Sequence, residues 1–122
     1  MRRDFLREKP IKMVIIKKSA VAFANDKIEK EFNNLSEDEN IKKWIKRAIE
    51  DLKNNAFCGI PIRKILIPKE YIKKYNVKNL WKYDLPQGWR LIYTITAENE
   101  VQLISAILEW FNHPEYEKRF HY

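Results

Sequence analysis

Arg90 stands inside an otherwise apolar run, Trp89-Arg90-Leu91-Ile92-Tyr93, directly after the turn-like Leu85-Pro86-Gln87-Gly88. A guanidinium in such a run needs a negative partner, either a carboxylate such as Asp84 across a hairpin or an external anion. His113 lies in Asn112-His113-Pro114-Glu115-Tyr116, three residues before Tyr116. An imidazole titrates near neutral pH and can move protons in phosphodiester chemistry, although a lone histidine also serves as a surface or capping residue. Upstream, Arg63, Lys64, Lys69, Lys73, Lys74, Lys78 and Lys82 alternate with Tyr71, Tyr75, Trp81, Tyr83 and Trp89. Cations bind phosphates and bases stack on aromatic rings, so this is a nucleic-acid composition; a solvated lysine face over core tryptophans reads the same way.

Other chemistries find little support. The lone Cys58 excludes an internal disulfide, fits a reducing compartment, and reads as an ordinary buried or half-buried thiol. With only His113 and His121 beside it, a zinc site is not expected. Two glycines leave no phosphate loop, and neither GxGxxG nor GxxxxGK occurs. Ser19, Ser36 and Ser105 lie in no nucleophile turn. Glu37 with Asp38, and Glu50 with Asp51, read as solvated helix faces. We therefore expect no metal and no cofactor.

These groups must be positioned by one domain, because the chain has 122 residues. A hydrophobic share of 45% is enough for a core. The net charge of +7 is uneven: residues 60–90 carry eight basic side chains against two acidic ones, while residues 91–122 carry two against five. No run approaches the roughly 20 apolar residues of a membrane span. The charged first residues and the short Met13-Val14-Ile15-Ile16 do not resemble a signal peptide, so a cytoplasmic protein is expected. Residues 1–12 read as a basic flexible tail and residues 13–122 as a single domain.

A short strand is expected over Met13–Lys18. Val21, Ala24, Ile28, Phe32 and Leu35 then recur at helical spacing. Ser36-Glu37-Asp38-Glu39 is a capping box opening a second helix, with Ile41, Trp44, Ile45, Ala48, Ile49 and Leu52 inward and Lys42, Lys43, Lys46, Arg47 and Glu50 outward. Residues 59–79 suggest a short strand or extended arm followed by about one helical turn. Strands follow at Leu80–Leu85, Trp89–Thr96 and Val101–Leu108, the last apolar on both faces and hence central. A short helix through Phe120 ends the chain. The fold class is α+β: two N-terminal helices on a mostly antiparallel sheet of about four strands, in the order β-α-α-β-β-β with a terminal helix.

The run Asn79-Leu80-Trp81-Lys82-Tyr83-Asp84-Leu85, the segment Gly88-Trp89-Arg90-Leu91-Ile92-Tyr93 and the closing His113-Pro114-Glu115-Tyr116-Glu117-Lys118-Arg119-Phe120 resemble the RelE/ParE superfamily of type II toxin–antitoxin toxins over about residues 13–120. That resemblance implies the same element order. It implies an activity as well: the RelE branch cleaves mRNA in the ribosomal A site, the ParE branch inhibits DNA gyrase, and a small antitoxin wraps and neutralises either. Position by position, the resemblance makes Arg90 the contact to the scissile phosphate and Tyr116 a stacking or proton-transfer group, with His113 where relatives carry a histidine or arginine. Lys82 falls on a strand where such enzymes place basic residues. The terminal His121-Tyr122 is similar to the end of the YoeB branch, although His113 already holds the corresponding place.

The expectation is therefore a metal-independent, ribosome-dependent mRNA endoribonuclease. Arg90, His113 and Tyr116 would be catalytic, and Lys64, Lys69, Lys73, Lys74, Lys82 and Arg119 would bind RNA. Its partners would be mRNA, the ribosome and a cognate antitoxin in a hetero-oligomer. The alternatives are a non-catalytic ParE-like gyrase inhibitor and a degenerate nucleic-acid-binding member.

Overall fold

The computed structural model describes residues 16–99 and 102–120. Met13 to Ile15, much of the first expected strand, and the His121-Tyr122 pair lie outside the described residues. The first strand, β1, runs later, over Ser19–Phe23, where Ser19, Val21 and Phe23 turn inward and Ala20 and Ala22 outward. Residues there follow a two-residue period, so Val21 belongs to a strand rather than to the expected helix. Helix α1 spans Asp26–Asn34 and starts at Asn25, whose side chain accepts from the Ile28 amide at 3.0 Å. Ile28 and Phe32 are its buried face.

Helix α2 covers Asn40–Asn54. Its capping box forms just ahead of the helix: the Glu39 carboxylate accepts from the Ser36 amide at 2.6 Å, and the Ser36 hydroxyl accepts from the Asp38 amide at 3.3 Å. Ile45, Ala48 and Leu52 are fully buried, as the spacing requires. Lys42 departs from the expected outer face and is 6% exposed. Its ammonium donates to Leu35 O at 3.0 Å, pairs with Glu37 at 2.8 Å and stands over the Phe32 ring, so the long side chain satisfies the end of α1 from within α2.

The remaining elements are β2 (Ile60–Pro61), a 3-10 turn at Lys64–Leu66, α3 (Lys69–Tyr75), β3 (Trp81–Asp84), β4 (Arg90–Ala97), β5 (Leu103–Phe111) and α4 (His113–Phe120). Among the described residues the sheet has five strands in the order β1-β5-β4-β3-β2, with β1 parallel to β5 and the other pairs antiparallel. The strand beyond the expected four is β2, two residues long and carrying a proline at the sheet edge, where a missing donor is tolerated.

Both faces of the sheet are covered. Helices α1 and α2 lie over Leu91, Tyr93 and Ile107, while α3 and α4 pack Tyr71, Tyr116 and Phe120 over Leu80, Ile92 and Leu108. Hence β5 is buried on both sides, as its composition predicts. Between β4 and β5 the register moves from Ile92 opposite Glu109 to Tyr93 opposite Ile107, which leaves Leu108 as an extra residue. Such a bulge re-aims its neighbours. Leu108 enters the second core and Glu109 reaches Arg119 of α4.

Candidate functional site

The β3–β4 hairpin places Asp84 directly opposite Arg90. Its turn, Pro86–Gly88, has Gln87 and Gly88 at φ 58° and 78°, a left-handed pair that reverses the chain within three residues. Gly88 suits that conformation because it has no Cβ. Arg90 also pairs with Phe111 across to β5, and two residues later His113 opens α4. A Cβ on Gly88 would lie 3.1 Å from His113 Cβ. The ladder and the turn thus bring the expected arginine and histidine to one end of the sheet.

Arg90 Nε lies 3.0 Å from Asp84 Oδ1, and Lys82 Nζ is 4.0 Å from the same oxygen. The Arg90 Nε is buried yet makes no hydrogen bond, so its contact with Asp84 is an ion pair whose N–H is poorly aimed. Nη1 donates to Trp89 O at 3.3 Å. Beneath them is the Tyr116 ring, with the Arg90 guanidinium 5.4 Å and the Lys82 ammonium 5.3 Å from its centroid. Two cations share one aromatic platform and one carboxylate. Each cation–ring contact is worth about 0.5–2 kcal/mol, which helps hold two positive groups side by side. The cluster keeps one positive charge more than it neutralises, as a phosphodiester anion requires.

Tyr116 is only 2% exposed and stacks on Phe120 at 4.8 Å. Expected as a stacking or proton-transfer group, it has the Arg90 guanidinium and the Lys82 ammonium over its ring. Its place follows from Asn112, whose backbone oxygen accepts from the Tyr116 amide at 2.9 Å and whose side chain accepts from the Glu115 amide at 3.1 Å, capping α4. His113 remains exposed at the rim, its Nε2 3.1 Å from Glu117 Oε1. Sequence reasoning does not single out Glu117. Its position four residues after His113 on a helix is the available signal.

Arg119, expected to bind RNA, is held by Glu109, with Nη1 2.7 and 2.9 Å from the two carboxylate oxygens, and by Glu115 at 3.7 Å. It clamps α4 to β5. Lys64, Lys69 and Lys73 are exposed on the arm, and Lys74 lines a cleft of about 460 Å³ with Glu70, Tyr71 and Glu109. That cleft is separate from the Arg90 cluster. On the other sheet face, Tyr83 donates to Asp51 of α2. Cys58 is exposed rather than buried, but partial burial of its thiol and then the Asp51 carboxylate push its pKa up, so the sulfur stays protonated and a poor nucleophile. Among the described residues there is no group of three or more His, Cys, Asp or Glu able to hold a metal ion.

The order of elements, with α1 and α2 between the first strand and the rest of a mixed sheet and a short helix after β5, agrees with the α+β fold expected of the RelE/ParE superfamily class of type II toxins. The family model for the ParE toxin of the type II toxin–antitoxin system, parDE, matches residues 16–109, and the chain belongs to that family. Lys82, Asp84 and Arg90 fall inside the matched span; His113 and Tyr116 fall just after it. No curated protein and no solved structure matches the chain. Membership brings a cognate antitoxin as partner. No helix among the described residues is long and apolar enough to cross a membrane.

Proposed function

We propose that this toxin is an mRNA endoribonuclease that binds the scissile phosphodiester at Arg90 and Lys82 and acts on the ribosome. The observation that carries the reading is the pair of cations on the buried Tyr116 ring, with the His113 imidazole at the start of α4, beside the Gly88 turn. RNA can be cut by its own 2′-hydroxyl, which attacks phosphorus and expels the 5′ oxygen. The step needs a base for the hydroxyl proton, an acid for the leaving oxygen, and cations for charge developing on the phosphoryl oxygens. Arg90 and Lys82 serve the last need. His113 takes the 2′-hydroxyl proton and delivers it to the leaving 5′ oxygen, and Glu117 contacts its Nε2. Tyr116 supports the cations from below. The exposed Lys64, Lys69 and Lys73 attract the RNA backbone. The ribosome orients the mRNA, which accounts for a site with few groups of its own.

The test uses purified ribosomes with a defined mRNA, the wild type, and Arg90→Ala and His113→Ala variants. Cleavage leaving a 2′,3′-cyclic phosphate is expected from the wild type, with losses on the order of 100-fold in either variant. Equal cleavage by all three refutes the assignment.

A second reading is a ParE-like gyrase inhibitor acting in the cytoplasm, favoured by the family match ending before His113. It predicts inhibited supercoiling with intact mRNA, and the same protein preparations decide between the two.

A further inference from the structure

The arm between α2 and β3 carries a surface that the Arg90 cluster does not use. Ile60, Ile65, Leu66 and Ile72 are all exposed within one thirteen-residue stretch, Ile65 by 81%. They are not left out for want of a core. Ile62, Ile67 and Tyr71 of the same stretch pack into the second core, so the arm is anchored by these three while the other four aliphatic side chains face solvent. Arg63, Lys64, Lys69 and Lys73 are exposed among the aliphatic residues, and from Ile60 to Lys74 the one acidic residue is Glu70.

A phosphate backbone would satisfy these cations but gain little from branched aliphatic side chains, which offer no π face to a base. A protein segment bearing both carboxylates and apolar side chains satisfies both halves of the surface. Interfaces of that kind gain affinity from a few buried apolar anchors, with charges at the rim setting orientation and rate.

We propose that residues 60–73 are the docking surface for an acidic amphipathic segment of the cognate antitoxin. This rests on the family's antitoxin partner and not on the reaction the toxin catalyses. Docking there covers Lys64, Lys69 and Lys73, so the same contact that binds the antitoxin removes the arm from any polyanion.

The test is the affinity of the full-length toxin for the antitoxin of its own operon, measured by titration calorimetry at two salt concentrations. The toxin variant is Ile65→Ser with Leu66→Ser and Ile72→Ser, whose melting temperature is measured alongside. The proposal expects an antitoxin affinity at least about tenfold weaker, with binding to a labelled RNA oligonucleotide unchanged. Lys64→Glu with Lys73→Glu should weaken the antitoxin complex and flatten its salt dependence. Should the serine substitutions together lower the melting temperature, Ile65→Ser alone, at the most exposed position, decides by the same affinity criterion. Wild-type antitoxin affinity in the serine variant overturns the proposal, and so does a loss confined to RNA binding, which would make the arm a nucleic-acid surface. Absence of mRNA cleavage by the wild type would end the ribonuclease reading and leave this measurement intact.

Discussion

Asp84 Oδ1 stands 3.0 Å from Arg90 Nε, directly across the β3–β4 ladder, and the same oxygen is the nearest carboxylate contact of Lys82 at 4.0 Å. One half-exposed carboxylate therefore occupies the position toward which both cations of the site are drawn. It holds them apart from solvent anions and competes with any phosphate that approaches. The substitution Asp84→Asn keeps the shape of the side chain and removes its charge. We expect RNA oligonucleotide affinity to rise by about threefold to tenfold, the size of a partly exposed charge interaction. Fluorescence anisotropy at two salt concentrations measures it. Weaker binding in the variant would mean that Asp84 positions Arg90 instead.

Gly88 bears on catalysis through His113. Its φ of 78° is strained for any residue with a Cβ, and that Cβ would press on His113 Cβ at 3.1 Å. Gly88→Ala should lose about 1 kcal/mol of stability. Cleavage should fall more than RNA binding, because the imidazole moves while Arg90 and Lys82 stay on the Tyr116 ring. Comparing the cleavage rate at saturating RNA with the binding constant separates the two effects.

Much of this arrangement is legible in the sequence. Helix α2 and strands β3 and β4 have strong periodicity and a proline-glycine turn between the strands, so their places follow from pattern alone, and with them the pairing of Asp84 and Arg90. The first strand escapes such a reading because Val21 fits a helical spacing with Ile28 as well as a strand alternation with Ser19 and Phe23; the Asn25 cap decides between them. Charge type alone reads Lys42 as outward and Arg119 as RNA-facing. Their partners, Leu35 O and Glu109, come from elements whose approach is a tertiary matter, and Glu109 reaches Arg119 only through the β5 bulge. The burial of Tyr116 depends on how α4 docks, which no local pattern specifies.

Gly59 marks a close approach of the arm to the sheet. An added Cβ would sit 2.6 Å from both Lys82 O and the Tyr93 hydroxyl oxygen, and the Gly59 amide donates to that hydroxyl at 3.1 Å. The hydroxyl in turn donates to Ala56 O at 2.8 Å. Gly59→Ala should therefore cost about 1–3 kcal/mol, the range for overpacking against backbone. Tyr93→Phe keeps the ring but leaves Ala56 O and the Gly59 amide without their partner, costing about 1–2 kcal/mol. Urea denaturation of each variant measures both. Because Lys82 is on the strand that Gly59 touches, Gly59→Ala should also weaken RNA binding, whereas Tyr93→Phe should not.

Glu37 ties stability to acid pH. Hydrogen bonds from Lys42 and Lys46, then their charges, lower its pKa from 4.5 to about 2 in the folded protein. A carboxylate whose folded pKa is depressed stabilises the fold fully above its unfolded value and loses that contribution as pH falls through the folded one. The window is therefore pH 4.5 down to about 2. Lys42 makes the pair matter, since its side chain is 7% exposed and its ammonium would otherwise face only Leu35 O and the Phe32 ring, with no carboxylate, at the junction of α1 and α2. Glu37→Gln should be less stable than the wild type at pH 7. The difference should shrink between pH 4.5 and 2 and vanish once the wild-type carboxyl is protonated. Lys42→Met removes one of the two charges but fills the same space, so its stability should depend less on pH across this window than that of the wild type, Lys46 keeping the remainder. Denaturant midpoints at pH 7, 4.5, 3 and 2 test the ordering, and a constant gap between Glu37→Gln and the wild type down to pH 2 would place the source of acid sensitivity elsewhere.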